Sequence, residues 1–301
     1  MERKVPFGIL PFNKPPYMTS RRVVDRVKKL VKPSKVGHAG TLDPLATGVL
    51  VVCVGAATRL ISRVQNFHKT YRARFVLGKT SDTDDVFGNV EILSAAKLPT
   101  REQVEAALPH FVGTIQQVPP QFSAVHVEGK RAYKLARQGV QFSIDAKEVE
   151  VYRCELTNFD LPEIELEIEC GSGTYVRSIG RDLGKVLGCG AVMSGLERTA
   201  IGPFDLNSCI CLDELTAESL FEILVPARTA VFDLPQQACS EVDLAELRNG
   251  RDVAPTNSEN FSEQQEVALL DEAGELAAIA VFDRETNSLC PKQVYLHQSG
   301  R

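Results

Sequence analysis

Asp43 is the only acid between Asp25 and Asp82, and it sits in the most basic part of the chain. The first 75 residues hold 15 Lys and Arg against three acids (Glu2, Asp25 and Asp43), a local net charge of +12 in a protein whose total is −5. A lone carboxylate has the chemistry of a nucleophile or general base, and a segment this basic attracts polyanions. Asp43 belongs to the stretch Gly37-His38-Ala39-Gly40-Thr41-Leu42-Asp43-Pro44-Leu45-Ala46-Thr47-Gly48. Its glycines and proline favour a fixed shape with close backbone approach. On spacing alone, however, Asp43-Pro44 is an ordinary turn before a strand, His38 a loop-capping or core histidine, and a basic face simply solvated.

The elements around this stretch have clear signals. Val49-Leu50-Val51-Val52-Cys53-Val54 is a continuous apolar run of strand length, so Asp43 is expected on a loop entering a buried central strand. Before it, Ser20 reads as an N-cap, with Val23, Val24, Val27, Leu30 and Val31 at helical spacing and Pro33 as the stop. Arg21, Arg22, Arg26, Lys28, Lys29 and Lys32 fill the other helix face, where phosphates would meet them. Residues 69–78 alternate as a strand, and Thr100 with Gln103 forms a capping box before a short amphipathic helix. Lys130, Arg131 and Arg137 lie in a second basic segment around Tyr133.

Residues 148–159 and 163–170 read as paired strands, with Ile164, Leu166, Ile168 and Cys170 inward and Glu163, Glu165, Glu167 and Glu169 toward water. Tyr175 and Arg177 then fall at a strand-to-helix corner, and the helix stripe uses Ile179, Leu183 and Val186 or Leu187. Residues 190–204 form a turn-rich strand candidate, residues 213–224 a helix, and 267–270 and 276–282 short strands. A boundary near residue 237 gives domains 1–236 and 237–301.

Composition narrows the class. A chain of 301 residues with 44% apolar residues buries a large core. The longest apolar run is far short of a membrane span, and the start lacks a signal peptide's apolar stretch, so a soluble cytoplasmic protein is expected. Eight scattered cysteines signal neither a zinc site nor a disulfide framework, and the Ser81–Gly88 acidic cluster lacks the twelve-residue ligand pattern of a calcium loop. These patterns signal no metal site. Residues 76–232 and 233–301 carry net charges of −9 and −8, so the basic charge belongs to the N-terminal quarter alone.

Gly37 to Gly48, together with Tyr71-Arg72 and Gly173-Thr174-Tyr175-Val176-Arg177, closely resembles the TruB family of tRNA pseudouridine synthases. Lys14-Pro15, Thr19-Ser20, Thr83 to Gly88, Ser123-Ala124, Gly129 to Tyr133, Asp182-Leu183-Gly184 and Leu196-x-Arg198 fall in the family's order. The resemblance is strong over roughly residues 5–235 and weak beyond. It implies an α+β pseudouridine synthase fold, with a large mixed, mainly antiparallel sheet flanked by helices and a small C-terminal β-rich, PUA-like RNA-binding domain.

The implied reaction is isomerisation of uridine to pseudouridine at position 55, in the T loop of tRNA, without cofactor, metal or obligatory protein partner. By the same resemblance Asp43 is the nucleophile, Tyr71 stacks on the target base and takes part in proton transfer, and Arg177 pairs with the aspartate. Lys14, Pro15, Tyr175, Asp85 and Arg198 support the pocket, and His38 enters the space left by the flipped base. The physics is compatible: a paired guanidinium favours an ionised carboxylate. Extruding a stacked base costs roughly a few kcal/mol, offset by stacking in the pocket. Tyr17 stands where the family often has Gly, Phe122 where Tyr is common and His126 where Lys is common.

Three other readings stay open at this level. A guide-RNA-dependent synthase acting on ribosomal RNA shares the motifs but usually carries basic tails. An RNA-folding module without essential catalysis would bind without Asp43. An aspartyl-phosphate hydrolase places its Asp after the strand with another two residues on, whereas Asp43 precedes the strand and residue 45 is Leu.

Overall fold

The apolar run forms the strand Thr47–Val54, and Val49 through Val54 are fully buried. Leu50, Val52 and Val54 enter one core, while Val49, Val51 and Cys53 enter another. Burial on both faces is why the sequence is continuously apolar rather than alternating. The structure, a computed structural model, describes residues 7–127 and 129–296; the first six residues, counted in the basic segment, lie outside them.

Thr47–Val54 is second in the main path of a nine-stranded sheet. That path runs Gly8–Lys14, Thr47–Val54, Ala191–Ile201, Lys69–Leu77, Glu163–Cys170, Lys147–Asp160 and Gly113–Gln117. Only Thr47–Val54 against Ala191–Ile201 is a parallel pair; the other pairings are antiparallel. A second, four-stranded sheet comprises Gln236–Ala238, Glu266–Leu270, Leu276–Asp283 and Ser288–Val294. The mainly antiparallel mixed sheet with a β-rich C-terminal part is the expected α+β architecture. No helix of the described residues is long and apolar enough to cross a membrane.

One register row crosses five strands. Lys14 pairs with Gly48, Gly48 with Arg198, Arg198 with Tyr71, and Tyr71 with Ile168. Strand pairing alone therefore gathers Lys14, Arg198 and Tyr71 beside the loop that carries Asp43. At Gly48 a Cβ would lie 2.2 Å from the Arg198 carbonyl oxygen, and its φ is +93°. Only glycine meets both conditions.

Two sequence expectations are corrected here. The helix Ser20–Val31 is capped by Thr19, whose side chain accepts from the Arg22 N–H, and not by Ser20. Ser20 is buried in the first turn, where its hydroxyl donates to the Leu42 carbonyl at 3.1 Å and accepts from the Leu42 N–H at 2.9 Å. Residues 213–224 do not form one helix: a 3-10 turn covers Leu212–Glu214 and a single helical turn Leu220–Ile223. Between them Ser219 Oγ donates to the Glu214 carbonyl and accepts from the Thr216 N–H, so local side-chain bonds replace the helical ladder.

The Thr100–Gln103 capping box forms as expected and starts the helix Arg101–Ala107. The helix Val176–Val186 begins right after Tyr175; Ile179 and Leu183 are buried, while Val186 is exposed and Leu187 packs against the core instead. Gly180 lets this helix lie on the sheet, because a Cβ there would meet the buried Phe75 ring at 2.1 Å. Gly180→Ala therefore overpacks the helix–sheet contact and costs about 1–3 kcal/mol. Urea unfolding should show this loss; wild-type stability in the variant would contradict the close approach.

Candidate active site

Three segments meet at Asp43: its own loop, the Thr83–Gly88 turn and the start of the helix Val176–Val186. The loop is tied down by Ser20 at Leu42 and by the Tyr17 N–H, which donates to the Pro44 carbonyl at 2.7 Å. The helix presents Arg177, only 6% exposed, whose Nη2 lies 3.0 Å from Asp43 Oδ2. Nη1 lies 3.6 Å from Asp85 Oδ2, and the guanidinium also donates to the carbonyls of Thr83 at 3.0 Å and Phe122 at 3.2 Å. Asp85 is itself fixed, accepting from Thr83 Oγ1 at 2.7 Å and the Phe87 N–H at 3.0 Å.

The Asp43 side chain, 37% exposed, opens into a cavity of about 370 Å³. Tyr71, Tyr175, Arg177 and Arg198 share its walls, as do Phe122, Ser123 and Lys69. Such a volume suits a small organic group such as a nucleobase. Tyr175 is held by a backbone clamp: its N–H donates to Gln117 Oε1 at 2.8 Å, and Gln117 Nε2 donates back to its carbonyl at 3.1 Å. Arg198, 1% exposed, donates to the Val49 carbonyl at 2.7 Å and the Gly40 carbonyl at 3.1 Å, joining central strand and loop. Burial pushes both tyrosine phenols up, against the pull of Arg198 on Tyr71 and of Arg177 on Tyr175.

The remaining expected residues stand behind or beside the cavity rather than in its walls. Lys14 is fully buried and donates to the Pro15 carbonyl at 2.9 Å and the Met18 carbonyl at 2.7 Å, bracing the extended segment in front of the helix. Burial lowers its ammonium to about 8 despite the raising influence of Asp43. Pro15 participates through that carbonyl, and Asp85 reaches the cavity only through Arg177. His38, in the short strand Val36–His38, is absent from the walls; burial, then the charges of Arg198 and Arg21, lower its imidazole. Arg21 is exposed and pairs with Asp25 at 2.8 Å, while Arg22, Lys28 and Lys29 flank a groove along the helix with Arg26 and Lys32. Lys130 and Arg131 lie on an exposed hairpin, with Arg131 donating to the Ala124 carbonyl; Arg137 stacks over Tyr133 at 5.6 Å.

Sequence reasoning missed Lys69 and Gln117. Lys69 lies two residues before Tyr71 on an alternating strand, hence on the same inward face, so its signal was present. Its ammonium donates to the Gln65 carbonyl, and burial followed by the Arg198 charge lowers it to about 8. Gln117 had no signal, because its role depends on a corner 58 residues away in sequence.

Comparison with known proteins decides the family. The model of the "TruB family pseudouridylate synthase (N terminal domain)" matches residues 28–176, and that of the "tRNA pseudouridylate synthase B C-terminal domain" matches residues 177–232. The tRNA pseudouridine synthase B of Dehalococcoides mccartyi is 42% identical over 250 residues, covering 82% of this chain and 83% of that protein. The chain belongs to the TruB family. Another TruB relative, the tRNA pseudouridine synthase B of Syntrophomonas wolfei, is 40% identical over 280 residues, covering 91% of this chain and 92% of that protein. The fold also matches a chain of a Cbf5-Nop10-Gar1 complex, with a TM-score of 0.72 at 25% identity over 97% of this chain and 86% of that one.

The buried Lys69 makes a contribution to stability that changes with pH. Its folded value near 8 lies below the 10.5 of an ordinary lysine, so the unfolded chain holds more protons between those values. The cost of burying its charge is complete below about pH 8 and disappears as pH rises toward 10.5. Lys69→Met should therefore exceed wild type in urea stability by more at pH 7 than at pH 10. A gap independent of pH would contradict a buried ammonium.

Proposed function

We propose that this TruB-family chain converts uridine to pseudouridine at position 55 in the T loop of tRNA, with Asp43 as the nucleophile. The observation that carries the reading is the buried Arg177 holding Asp43 at the mouth of a base-sized cavity, with Tyr71 in its wall. Two relatives named tRNA pseudouridine synthase B, each matching more than four-fifths of the chain, supply the reaction class.

In this reading the target base leaves the loop stack and enters the cavity against Tyr71. Asp43 attacks, the bond between ribose C1′ and uracil N1 breaks, and the base turns within the cavity. C1′ then bonds to C5 as the bond to Asp43 breaks and frees its carboxylate, N1 gains a proton and C5 loses its own to solvent, so the product is an isomer of the substrate. Arg177 orients Asp43 throughout, with a guanidinium that keeps its charge. The basic face of the helix Ser20–Val31 and the segment Lys130–Arg137 hold phosphates and set register without reading bases. The domains at residues 1–236 and 237–301 then divide the work: the first carries the chemistry, and the C-terminal sheet adds RNA contacts from a limited face. A cytoplasmic place of action follows from a tRNA substrate.

Tritium release from tRNA labelled at uridine C5 tests the reaction. Wild type should release label, and Asp43→Asn should bring release to background while still binding tRNA. Full release by the variant would sink the nucleophile assignment. Release from ribosomal RNA with a guide, and none from tRNA, would favour the guide-dependent reading instead.

A second expectation concerns salt. tRNA affinity should fall steeply as salt rises, and neutralising Arg22, Lys28 or Lys29 should each reduce the slope of log affinity against log salt by roughly one. Salt-independent binding would refute the phosphate contacts.

A further inference from the structure

Beside the Asp43 loop, two large aromatic rings face water. Tyr17 is 73% exposed and Phe87 54% exposed, and their centroids are 6.1 Å apart with the planes tilted by 39°. They come from distant parts of the chain, yet both are anchored to the catalytic group. The Tyr17 N–H donates to the carbonyl of Pro44, the residue after Asp43. The Phe87 N–H donates to Asp85 Oδ1, whose partner oxygen faces Arg177.

The backbone adds a second observation. Tyr17 has a φ of 61°, in the left-handed region that glycine occupies freely and a bulky side chain avoids. A residue held there against its preference tends to be doing something at that place. Here the conformation turns a phenol ring outward, onto Phe87, next to the Asp43 loop. Three residues further along the chain begins the basic helix, with Arg21 and Arg22 exposed in its first turn.

Paired aromatic faces next to the exposed Arg22 guanidinium match one ligand chemistry, a nucleobase whose phosphate is held nearby. A base still stacked in a duplex hides its faces, so the occupant is an unpaired one. We propose that Tyr17 and Phe87 form a stacking platform for an unpaired tRNA base adjacent in the loop to the uridine extruded toward Asp43. The inference rests on the tRNA substrate assigned above and adds a base-binding site outside the catalytic cavity. The platform holds the strand beside the target while the target itself is turned, and its loss falls on substrate binding rather than on chemistry.

The chain contains no tryptophan, which supplies a direct probe. Tyr17→Trp and Phe87→Trp each introduce a single indole. In an Asp43→Asn background, saturating tRNA should strongly quench either one. The double variant Tyr17→Gly with Phe87→Ala should raise KM for tRNA roughly fivefold or more, with kcat changed far less, whereas Phe87→Tyr should retain the wild-type KM. Both side chains are exposed and glycine accepts the Tyr17 conformation, so the double variant should keep the wild-type melting temperature. Unquenched indole in the bound complex, or an unchanged KM in the double variant while wild type releases tritium normally, would overturn the platform alone. No release by wild type would overturn the assigned reaction and the platform with it.

Discussion

A single buried guanidinium holds the site together. Arg177 is almost wholly buried, and an unpaired cation in that position would be costly. It is matched by the carboxylates of Asp43 and Asp85 and by the carbonyls of Thr83 and Phe122. These acceptors come from three stretches of chain, the Asp43 loop, the Thr83–Gly88 turn and the segment at Phe122, so satisfying one charge ties all three to the helix that carries Arg177. The planar fork is what makes this possible, since an ammonium has no comparable set of directions. The Asp43 carboxylate is consequently an end-point of a structural network and not a side chain free in a loop.

Behind that network lies the sheet register. The row Lys14, Gly48, Arg198, Tyr71 leaves a gap at Gly48, where neighbouring backbones come too close for any side chain. Arg198 uses its length to bond both the central strand and the Gly40 carbonyl, and Lys14 ties down the segment that follows it through the Pro15 and Met18 carbonyls. A one-residue slip would turn Tyr71 and Lys69 to the opposite face of the sheet. Register and charge pairing thus impose the same geometry from two directions, one through backbone hydrogen bonds and the other through Arg177.

This division explains what the sequence reveals and what it hides. The central strand, the amphipathic helix with its basic face and the strand pair ending at Cys170 are local patterns, and each appears where its periodicity places it. Asp43 is legible because its isolation among cations is a local fact. Ser20 is not: as a serine before a valine-rich helix it has the signature of a cap, but burial against Leu42 outweighs that preference. The segment 213–224 fails for a related reason, since Thr216 and Ser219 offer backbone bonds that a helical pattern does not reveal. Gln117 serves Tyr175 across a long sequence separation, a relation that only tertiary structure creates.

The acidic C-terminal part is compatible with a basic N-terminal quarter because the two charges meet selectively. Its strands share a buried core with the nine-stranded sheet, where Ala268, Leu270, Leu276, Ile279 and Tyr295 pack with Val49, Val51 and Leu60. At the edge of that core Arg63 pairs with Glu266 and with Asp233, each at 2.9 Å, and Arg59 stacks over Tyr295 at 4.6 Å. The acids there neutralise cations on the segment after the central strand, away from the helix Ser20–Val31. Arg22, Lys28 and Lys29 are left facing solvent. A net negative total therefore coexists with a positive face, because screening over a Debye length of about 8 Å makes the nearest charges decide what a phosphate feels.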